Sequence, residues 1–511
     1  MAIIIGPILG WRGEQDGASL VSVMIVRNDD AAPGTVTWST GAEGAGGTGA
    51  LVKLSDFASS TVYAAEVSVP PTQERQSVEY SISGDDRRWR FTVPGRGDRP
   101  RIAYGSCNGF SLPGDMRRIA DKNALWRDLI GEHAREPFHL LMMGGDQIYA
   151  DQLWDLVPEL RRFNELPRDD RIRKKASASL RTNLERFFLT TYTDRFGPDA
   201  AAEAFASIPT LMMWDDHDIF DGWGSYSPEE QNSPVFQAIF AVARKAFALF
   251  QLMTSPDGGT WPRLPGEAFN ALLHCGGCAI LVLDLRSERT QSQILSPASW
   301  EAVFAAVDAA HGLRHLLVMS SIPVLHPDMS FIERTLGLLP GNQGGIEDDL
   351  NDQWVSYNHK TERLRLIHRL FDFAAANGTR VTIVSGDVHV AANGVIESTR
   401  RPVRDTNAEV ITQLTSSAIV HPPPPRVVRF FLEQIGSQVQ EIDRDITGRM
   451  LQFPATTYRF VAERNWMTIE VDDVDRIWIN WRIEGAPQPL TKVIHPCAEV
   501  APGAVTPATT A

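Results

Sequence analysis

The chain has 511 residues, 43% of them hydrophobic and 22% charged, which is the composition of a globular protein with a sizeable buried core. Its formal net charge of −14 argues against a broad surface for nucleic acids or anionic membranes, because both need clustered lysine and arginine. Four cysteines over this length exclude a disulfide framework.

Residues 1–93 have the pattern of β-strands throughout. Five segments cluster or alternate β-forming residues between turns: LVSVMIVRN, GTVTWST, TVYAAEVSV, SVEYSIS and RRWRFTV. They predict a small immunoglobulin-like or fibronectin-like all-β domain at 1–97, with PGRGDRP at 94–100 as a linker. The apolar opening MAIIIGPILGW lacks a basic region and contains Pro7, and no segment approaches the ~18 apolar residues of a membrane span. We therefore expect no export signal, no membrane span and a cytoplasmic protein.

From residue 101 the pattern changes to alternating strands and helices. RIAYGSC, DKNALWRDLIGEH and FHLLMMGGD form a β-α-β unit, which predicts a layered α/β domain over 98–500. A charged helical insert is expected near 155–205, and the tail at 501–511 is expected to be flexible. Further strands are predicted at SIPTLMMWDD, ALLHCGGCAILVLDLRS, RHLLVMSS, TRVTIVSGD and NWMTIEVDDVDRIWINWRIEG, and helices at WEAVFAAVDAA and TERLRLIHRLFDFAAANG.

Four of these strands end in turns that carry acids, histidine or cysteine. The turns are GSCNG at 105–109, GGDQIYAD at 144–151, WDDHD at 214–218 and SGDVH at 385–389. Ligands gather where the carboxyl ends of strands converge in layered α/β folds, so we expect one cluster. Oxygen and imidazole donors in such a set suit one or two metal ions. The candidates are Asp146, Tyr149, Asp216, His217, Asp387 and His389; taken singly, Asp146 would be a helix cap and Cys107 a buried apolar residue.

The order of these turns resembles that of the PhoD-like phosphatases, the alkaline phosphatase D family of calcineurin-like metallophosphoesterases. The matching motifs are S-C, G-D-x-x-Y, D-D-H-[D/E] and S-G-D-V-H, and LDLRSER at 283–289 is also similar. The resemblance implies a four-layer α-β-β-α metallophosphoesterase sandwich after the all-β domain. Two features depart from the family: the twin-arginine export signal is absent, and Asp218 stands where glutamate is usual.

The resemblance also implies a ligand set. Asp146 would bridge two metals, and Tyr149 would bind Fe(III) as tyrosinate, a spacing shared with purple acid phosphatases. A trivalent cation can deprotonate a phenol far below its free pKa of ~10. Cys107 would supply a second anionic donor and His389 would complete the iron ligands. Asp216 and Asp387 would face a second metal, for which oxygen ligands favour Ca, Mg or Mn, with Zn as a further candidate; the resemblance implies Ca.

The expected activity is hydrolysis of a small phosphate monoester or diester by metal-activated hydroxide attacking phosphorus in line. His217 would stabilise the transition state or protonate the leaving group. Arg286 would clamp a phosphate oxygen or would only pair with Asp284. The alternative is a degenerate protein that binds a phosphorylated or glycan ligand without turnover. The sequence does not determine the natural substrate or the oligomeric state.

Further cysteine and polar residues have predicted roles outside this ligand set. Cys275 and Cys278 flank Gly-Gly and predict a hairpin rather than a zinc site, because no second C-x-x-C pair exists. Asp215 and Asp218 would orient His217, and Asp151 would cap a helix or add a Ca contact. Loop residues Asp352–Trp354 and His421 would line the cleft, and the insert and 421–450 would form a lid.

Overall fold

The computed structural model describes residues 3–29, 33–41, 46–327, 354, 359–399 and 408–497. The predicted tail and Asp352 lie outside this part of the chain. The strands are β1 Ile3–Gln15, β2 Ala18–Arg27, β3 Thr35–Thr40, β4 Gly46–Ala50, β5 Val52–Phe57, β6 Ser60–Val69, β7 Gln76–Ile82, β8 Arg88–Val93, β9 Arg101–Gly105, β10 Leu140–Gly144, β11 Thr210–Met213, β12 Ala271–Cys275, β13 Cys278–Leu283, β14 His315–Ser320, β15 Arg380–Ser385, β16 Ala391–Ser398, β17 Val410–Thr415, β18 Gln440–Asp443, β19 Ile446–Leu451, β20 Phe460–Val461, β21 Asn465–Val471, β22 Ile477–Ile483 and β23 Leu490–Ile494. The helices are α1 Pro113–Arg118, α2 Ala124–Arg135, α3 Leu153–Leu156, α4 Pro158–Asn164, α5 Arg168–Arg173, α6 Ala178–Phe196, α7 Asp199–Ser207, α8 Pro228–Gln231, α9 Pro234–Ala246, α10 Pro297–Ala309, α11 Lys360–Asn377 and α12 Arg426–Gly436.

These strands form two large sheets and one small sheet. The first sheet has the order β23-β22-β21-β9-β10-β11-β1-β2-β6-β5, and its strands β9, β10 and β11 run parallel. The second has the order β12-β13-β14-β15-β17-β16-β19-β18, with β20 beside β16, and β13, β14, β15 and β17 run parallel. The third contains β4, β3, β7 and β8. The predicted α/β class is confirmed.

The strands before residue 94 divide between the first and third sheets. β1 pairs in parallel with β11 through Gly10 and Thr210, so the first sheet continues across the predicted boundary at residue 97. The division of the chain into domains stays a prediction. The opening apolar segment, for which the sequence predicted no individual strand, forms the long strand β1.

The central strands are buried on both faces, which explains their continuous apolar sequences. All five residues of β10 are buried, as expected for a parallel strand covered on both sides. Alternate residues of β14 belong to different apolar clusters: Leu317 and Met319 to one, Leu316 and Val318 to the other. The second cluster also contains Trp300 of α10 and residues of α11. The polar turns that follow these strands are therefore attached to strands held in the apolar core.

Helices α3 to α7 occupy most of 153–207, where the sequence predicted a helical insert. Helix α6 begins at Ala178, where Ser177 accepts a hydrogen bond from the Leu180 amide and caps the helix. Residues 421–450 contain α12 and the hairpin β18–β19. Their predicted role as a lid is untested.

Candidate metal centre

Four of the predicted ligands have a strained backbone. Cys107, Asp146, Asp387 and His389 have φ values of 55°, 53°, 69° and 52°, in the left-handed region that favours glycine. Nine non-glycine residues of the described ranges have positive φ, so these turns hold nearly half of them. Strain of this kind persists where surrounding structure fixes it, and it clusters at functional sites.

The turns after β9, β10 and β15 bring sulfur, carboxylate, phenol and imidazole together. Ligand atoms of Cys107, Asp146 and His389 all lie within 4.8 Å of one another. The Tyr149 hydroxyl lies 3.4 Å from Asp146 Oδ2 and 3.1 Å from His389 Nε2. Cys107 Sγ lies 3.5 Å from the same Asp146 oxygen. The structure thus brings together the four residues that the sequence predicted as iron ligands.

Asp146 belongs to two further groups of candidate ligands. One contains Asp216 and His217, and the other contains Asp215 and Asp387. In each group the ligand atoms lie within 4.8 Å of one another, so Asp146 is common to all three groups in the described residues. This is the position that a bridging carboxylate requires.

The donors fit a cation, because Asp146 Oδ1 is buried and no described residue hydrogen-bonds to it. A buried carboxylate oxygen without a partner is costly unless a positive charge compensates it. Burial raises the pKa of Asp146 well above its ordinary value, and neighbouring aspartates raise it further. Burial together with nearby anionic groups likewise raises the pKa values of Cys107 and Tyr149. A multivalent cation would reverse this balance and favour the anionic forms.

His217 lies on the edge of this cluster and pairs with Asp151. His217 Nδ1 is 2.8 Å from Asp151 Oδ2, and the other oxygen of Asp151 accepts from the Asp221 amide. Burial by itself would lower the pKa of His217, but Asp151, Asp216 and Asp146 raise it well above its ordinary value. The assignment of Asp151 as a helix cap is therefore wrong. Asp151 orients the His217 ring, the role expected of Asp215 and Asp218.

Asp218 instead ties two turns together. Its carboxylate accepts hydrogen bonds from the backbone amides of Gln147, Ile148 and Asp215 at 2.8 to 3.3 Å. It also accepts a bond from the Gln251 side chain at 2.8 Å. The turn after β10 is thereby fixed to the turn after β11, which positions Asp146 against Asp216.

Arg286 neutralises acids rather than facing open space. Its guanidinium is 0% exposed, pairs with Asp215 through Nε and lies 3.3 Å from Asp216 Oδ1. It also donates to the Trp223 carbonyl at 2.9 Å. The sequence offered pairing with Asp284 as an alternative role for Arg286. The structure shows that contact through the backbone amide of Arg286, which donates to the Asp284 carboxylate.

A fifth turn, which follows β17, also reaches the site. The sequence predicted only that His421, near this turn, would line the cleft. The His421 ring stacks on His389 with centroids 3.8 Å apart and lies 5.1 Å from the Tyr149 ring. Ser417 Oγ lies 3.0 Å from Cys107 Sγ. The sequence signal was the same as elsewhere: the strand VITQLT followed by a small polar turn, Ser-Ser.

The two cysteines of the Gly-Gly hairpin and Trp354 lie outside this cluster. Cys275 and Cys278 face each other across the β12–β13 hairpin, and both are buried free thiols, as the hairpin prediction requires. Trp354 is completely buried and its indole nitrogen donates to Ser320, so it does not line a cleft. Among the described residues, no helix is both long and apolar enough to cross a membrane.

The family model for PhoD related phosphatase matches residues 73–343 and 337–439, which is most of the chain. The chain belongs to this family. The PhoD-related chain is 29% identical over 501 residues to "Uncharacterized protein YGR266W" of Saccharomyces cerevisiae, covering 80% of this chain and 70% of that protein. The family resemblance predicted from the four turns is therefore confirmed.

Two solved structures share the fold of this PhoD-related chain. "Structure of PhoD" aligns with a TM-score of 0.61 and 13% identity over 97% of this chain and 90% of that chain. The purple acid phosphatase PPD1 from yellow lupin (Lupinus luteus) aligns with a TM-score of 0.53 and 10% identity over 96% and 74%. At these identities the similarity concerns the fold, a mixed α/β architecture with large sheets.

Proposed function

We propose that this PhoD-related chain hydrolyses small phosphate monoesters or diesters at a metal centre built around Asp146. The observation that carries the proposal is that Asp146 belongs to all three groups of candidate ligands. Cys107 and His389 share one of these groups, and together with Tyr149 they would hold Fe(III), because thiolate and phenolate are strong anionic donors. Asp216 and Asp387 belong to the other two groups and would hold a divalent ion, for which Ca is our proposal.

Metal ions at such a centre supply, when bound, an activated water at neutral pH and positive charge against the phosphoryl oxygens. An ionised Asp151 can only accept, so His217 would donate to it from Nδ1, which leaves Nε2 outside this bond. We propose that this nitrogen donates to the leaving-group oxygen. The paired carboxylate keeps the ring orientation fixed, as in other carboxylate–histidine pairs.

Arg286 has a different role from the phosphate clamp expected from the sequence. Because its guanidinium is completely buried and engaged with Asp215 and Asp216, we propose that it orients these acids toward the metals. A guanidinium is suited to this because it stays charged when buried and binds carboxylates in a fixed geometry.

We also propose the four-layer α-β-β-α arrangement for the catalytic region at 98–500, which follows the all-β region at 1–97 and shares the first sheet with it. Support comes from the alternation of β14 side chains between two apolar clusters, one of which includes α10 and α11. A sheet packed on both faces, with helices against one of them, is half of such an arrangement.

The test is metal analysis of the purified protein beside hydrolysis of paired aryl monoesters and diesters. We expect bound iron and a divalent metal in the wild type, and loss of metal and of turnover in Asp146→Asn. The control is Asp16→Asn, because exposed Asp16 has φ 52°, nearly the same as Asp146, and lies in the β1–β2 hairpin. Metal binding without turnover of either ester would favour the alternative, a protein that binds a phosphorylated ligand. Retained turnover in Asp146→Asn would refute the proposal.

A further inference from the structure

Ser417 contacts the predicted thiolate ligand from the turn after β17. It is completely buried, and its Oγ lies 3.0 Å from Cys107 Sγ. The same oxygen accepts a hydrogen bond from the His389 amide at 3.1 Å. One hydroxyl group therefore touches two predicted iron ligands at once.

The direction of the Ser417–Cys107 bond follows from the hydroxyl's other contact. A serine hydroxyl has one proton and two lone pairs. The His389 amide can only donate, so it uses a lone pair and leaves the Ser417 proton without an acceptor on that side. Among the described residues, the remaining partner of this hydroxyl is Cys107 Sγ. A thiolate has no proton to donate, so with Cys107 in that form the sulfur is the acceptor and Ser417 the donor.

A second serine near the sulfur makes a longer contact with it. Ser106 Oγ lies 3.5 Å from Cys107 Sγ and 3.1 Å from the Ser416 carbonyl oxygen, so two acceptors compete for its single proton. The Ser417 contact is shorter, at 3.0 Å, and a shorter hydrogen bond is the stronger one. The two serines have the same chemistry and similar burial but lie at different distances from the sulfur.

The backbone of Ser417 is fixed in place from two sides. The Asn465 side chain donates to the Ser417 carbonyl at 2.8 Å, and Ser416 Oγ donates to Asn465 Oδ1 at 2.7 Å. The Ile419 amide donates to the Ser106 carbonyl at 2.9 Å, which holds this turn against the turn carrying Cys107. The hydroxyl is thus a preorganised donor.

We infer that Ser417 is a positioning residue that donates a hydrogen bond to the Cys107 thiolate and tunes its electron donation to the metal. This inference rests on the proposed metal centre. Hydrogen bonds to metal-bound sulfur lower its electron donation to the metal. Removing the donor makes the sulfur more electron-rich, so the energy of its charge transfer to the metal falls.

The test uses the full chain loaded with Co²⁺, whose thiolate charge-transfer band reports on Cys107. In Ser417→Ala we expect this band at longer wavelength than in the wild type. In Ser106→Ala, which removes the longer contact with the sulfur, we expect a smaller shift. A purely structural role for Ser417 would lower the melting temperature without moving the band.

The outcomes separate this inference from the proposed function. If the band of Ser417→Ala has the same wavelength as that of the wild type, or if it shifts equally in both variants, the inference is overturned and the proposed function is not affected. A wild-type protein without a thiolate band overturns it as well, while ester hydrolysis by the same sample would leave the proposed function standing. A band that shifts further in Ser417→Ala than in Ser106→Ala supports the inference even if the protein hydrolyses no ester.

Discussion

Gly109→Ala should displace Tyr149 without disturbing the backbone. A Cβ at position 109 would lie 2.4 Å from Tyr149 Cδ2, whereas ordinary contact begins at 3.4 Å, so the ring must retreat by about 1 Å. The ring has little room, because the His217 and His421 rings lie 4.4 Å and 5.1 Å from it. Overpacking of this kind costs about 1–3 kcal/mol of stability. The phenol oxygen would move away from Asp146 and His389.

We expect kcat/KM for an aryl phosphate to fall about 100-fold, since a displacement of about 1 Å in a catalytic constellation has that effect. Tyrosinate bound to the Fe(III) that we propose would give a visible charge-transfer band, and that band should weaken in parallel. The matched control is Gly131→Ala in α2, where an added Cβ meets nothing within 4 Å. Helix propensity predicts that this control is slightly more stable than the wild type. Wild-type turnover and colour in Gly109→Ala would refute the assignment of Tyr149 as a ligand.

Three further predictions follow from individual contacts. Tyr149→Phe should abolish the visible band while the protein stays folded by circular dichroism; an unchanged band would remove Tyr149 from the ligand set. Asp151→Asn should lower kcat more than it changes KM, because His217 loses its orienting carboxylate, and equal effects on both would contradict that role. Burial lowers the pKa of His315 to about 4, so the unfolded chain binds a proton below ~6.5 that the folded protein refuses. The free energy of unfolding of the wild type therefore falls as the pH drops from 6.5 toward 4, because protonation of His315 favours the unfolded chain. In urea titrations, the free energy of unfolding of His315→Gln should decrease by about 3 kcal/mol less over this pH range than that of the wild type.

The local sequence was sufficient to predict most elements and the family. Strands such as β10 and β15 are short apolar segments bounded by polar turns, and hydrophobic periodicity reports directly on such local burial. The candidate ligands could be proposed for the same reason, because each follows a strand that the pattern identifies. Convergence at one edge could be expected from parallel strands alone, and the structure places Cys107, Asp146 and His389 within ligand distance.

The partners of these residues were decided only by the tertiary structure. The His217–Asp151 pair spans 66 positions, the Arg286–Asp215 pair spans 71, and the Ser417–Cys107 contact spans 310. Nothing in the neighbouring residues encodes such distant pairings, because they depend on sheet order and on the direction in which each turn leaves its strand. Asp218 was misassigned for this reason: it lies next to His217 in sequence, but its oxygens face the backbone amides of another turn.

The sequence by itself determined which chemical groups the protein has and which strands carry them, because burial leaves a local pattern in the chain. The tertiary structure decided which of these groups form ion pairs and hydrogen bonds with one another. Electrostatic and hydrogen-bond interactions depend on distances of a few ångströms, and those distances exist only after strands far apart in sequence have been aligned.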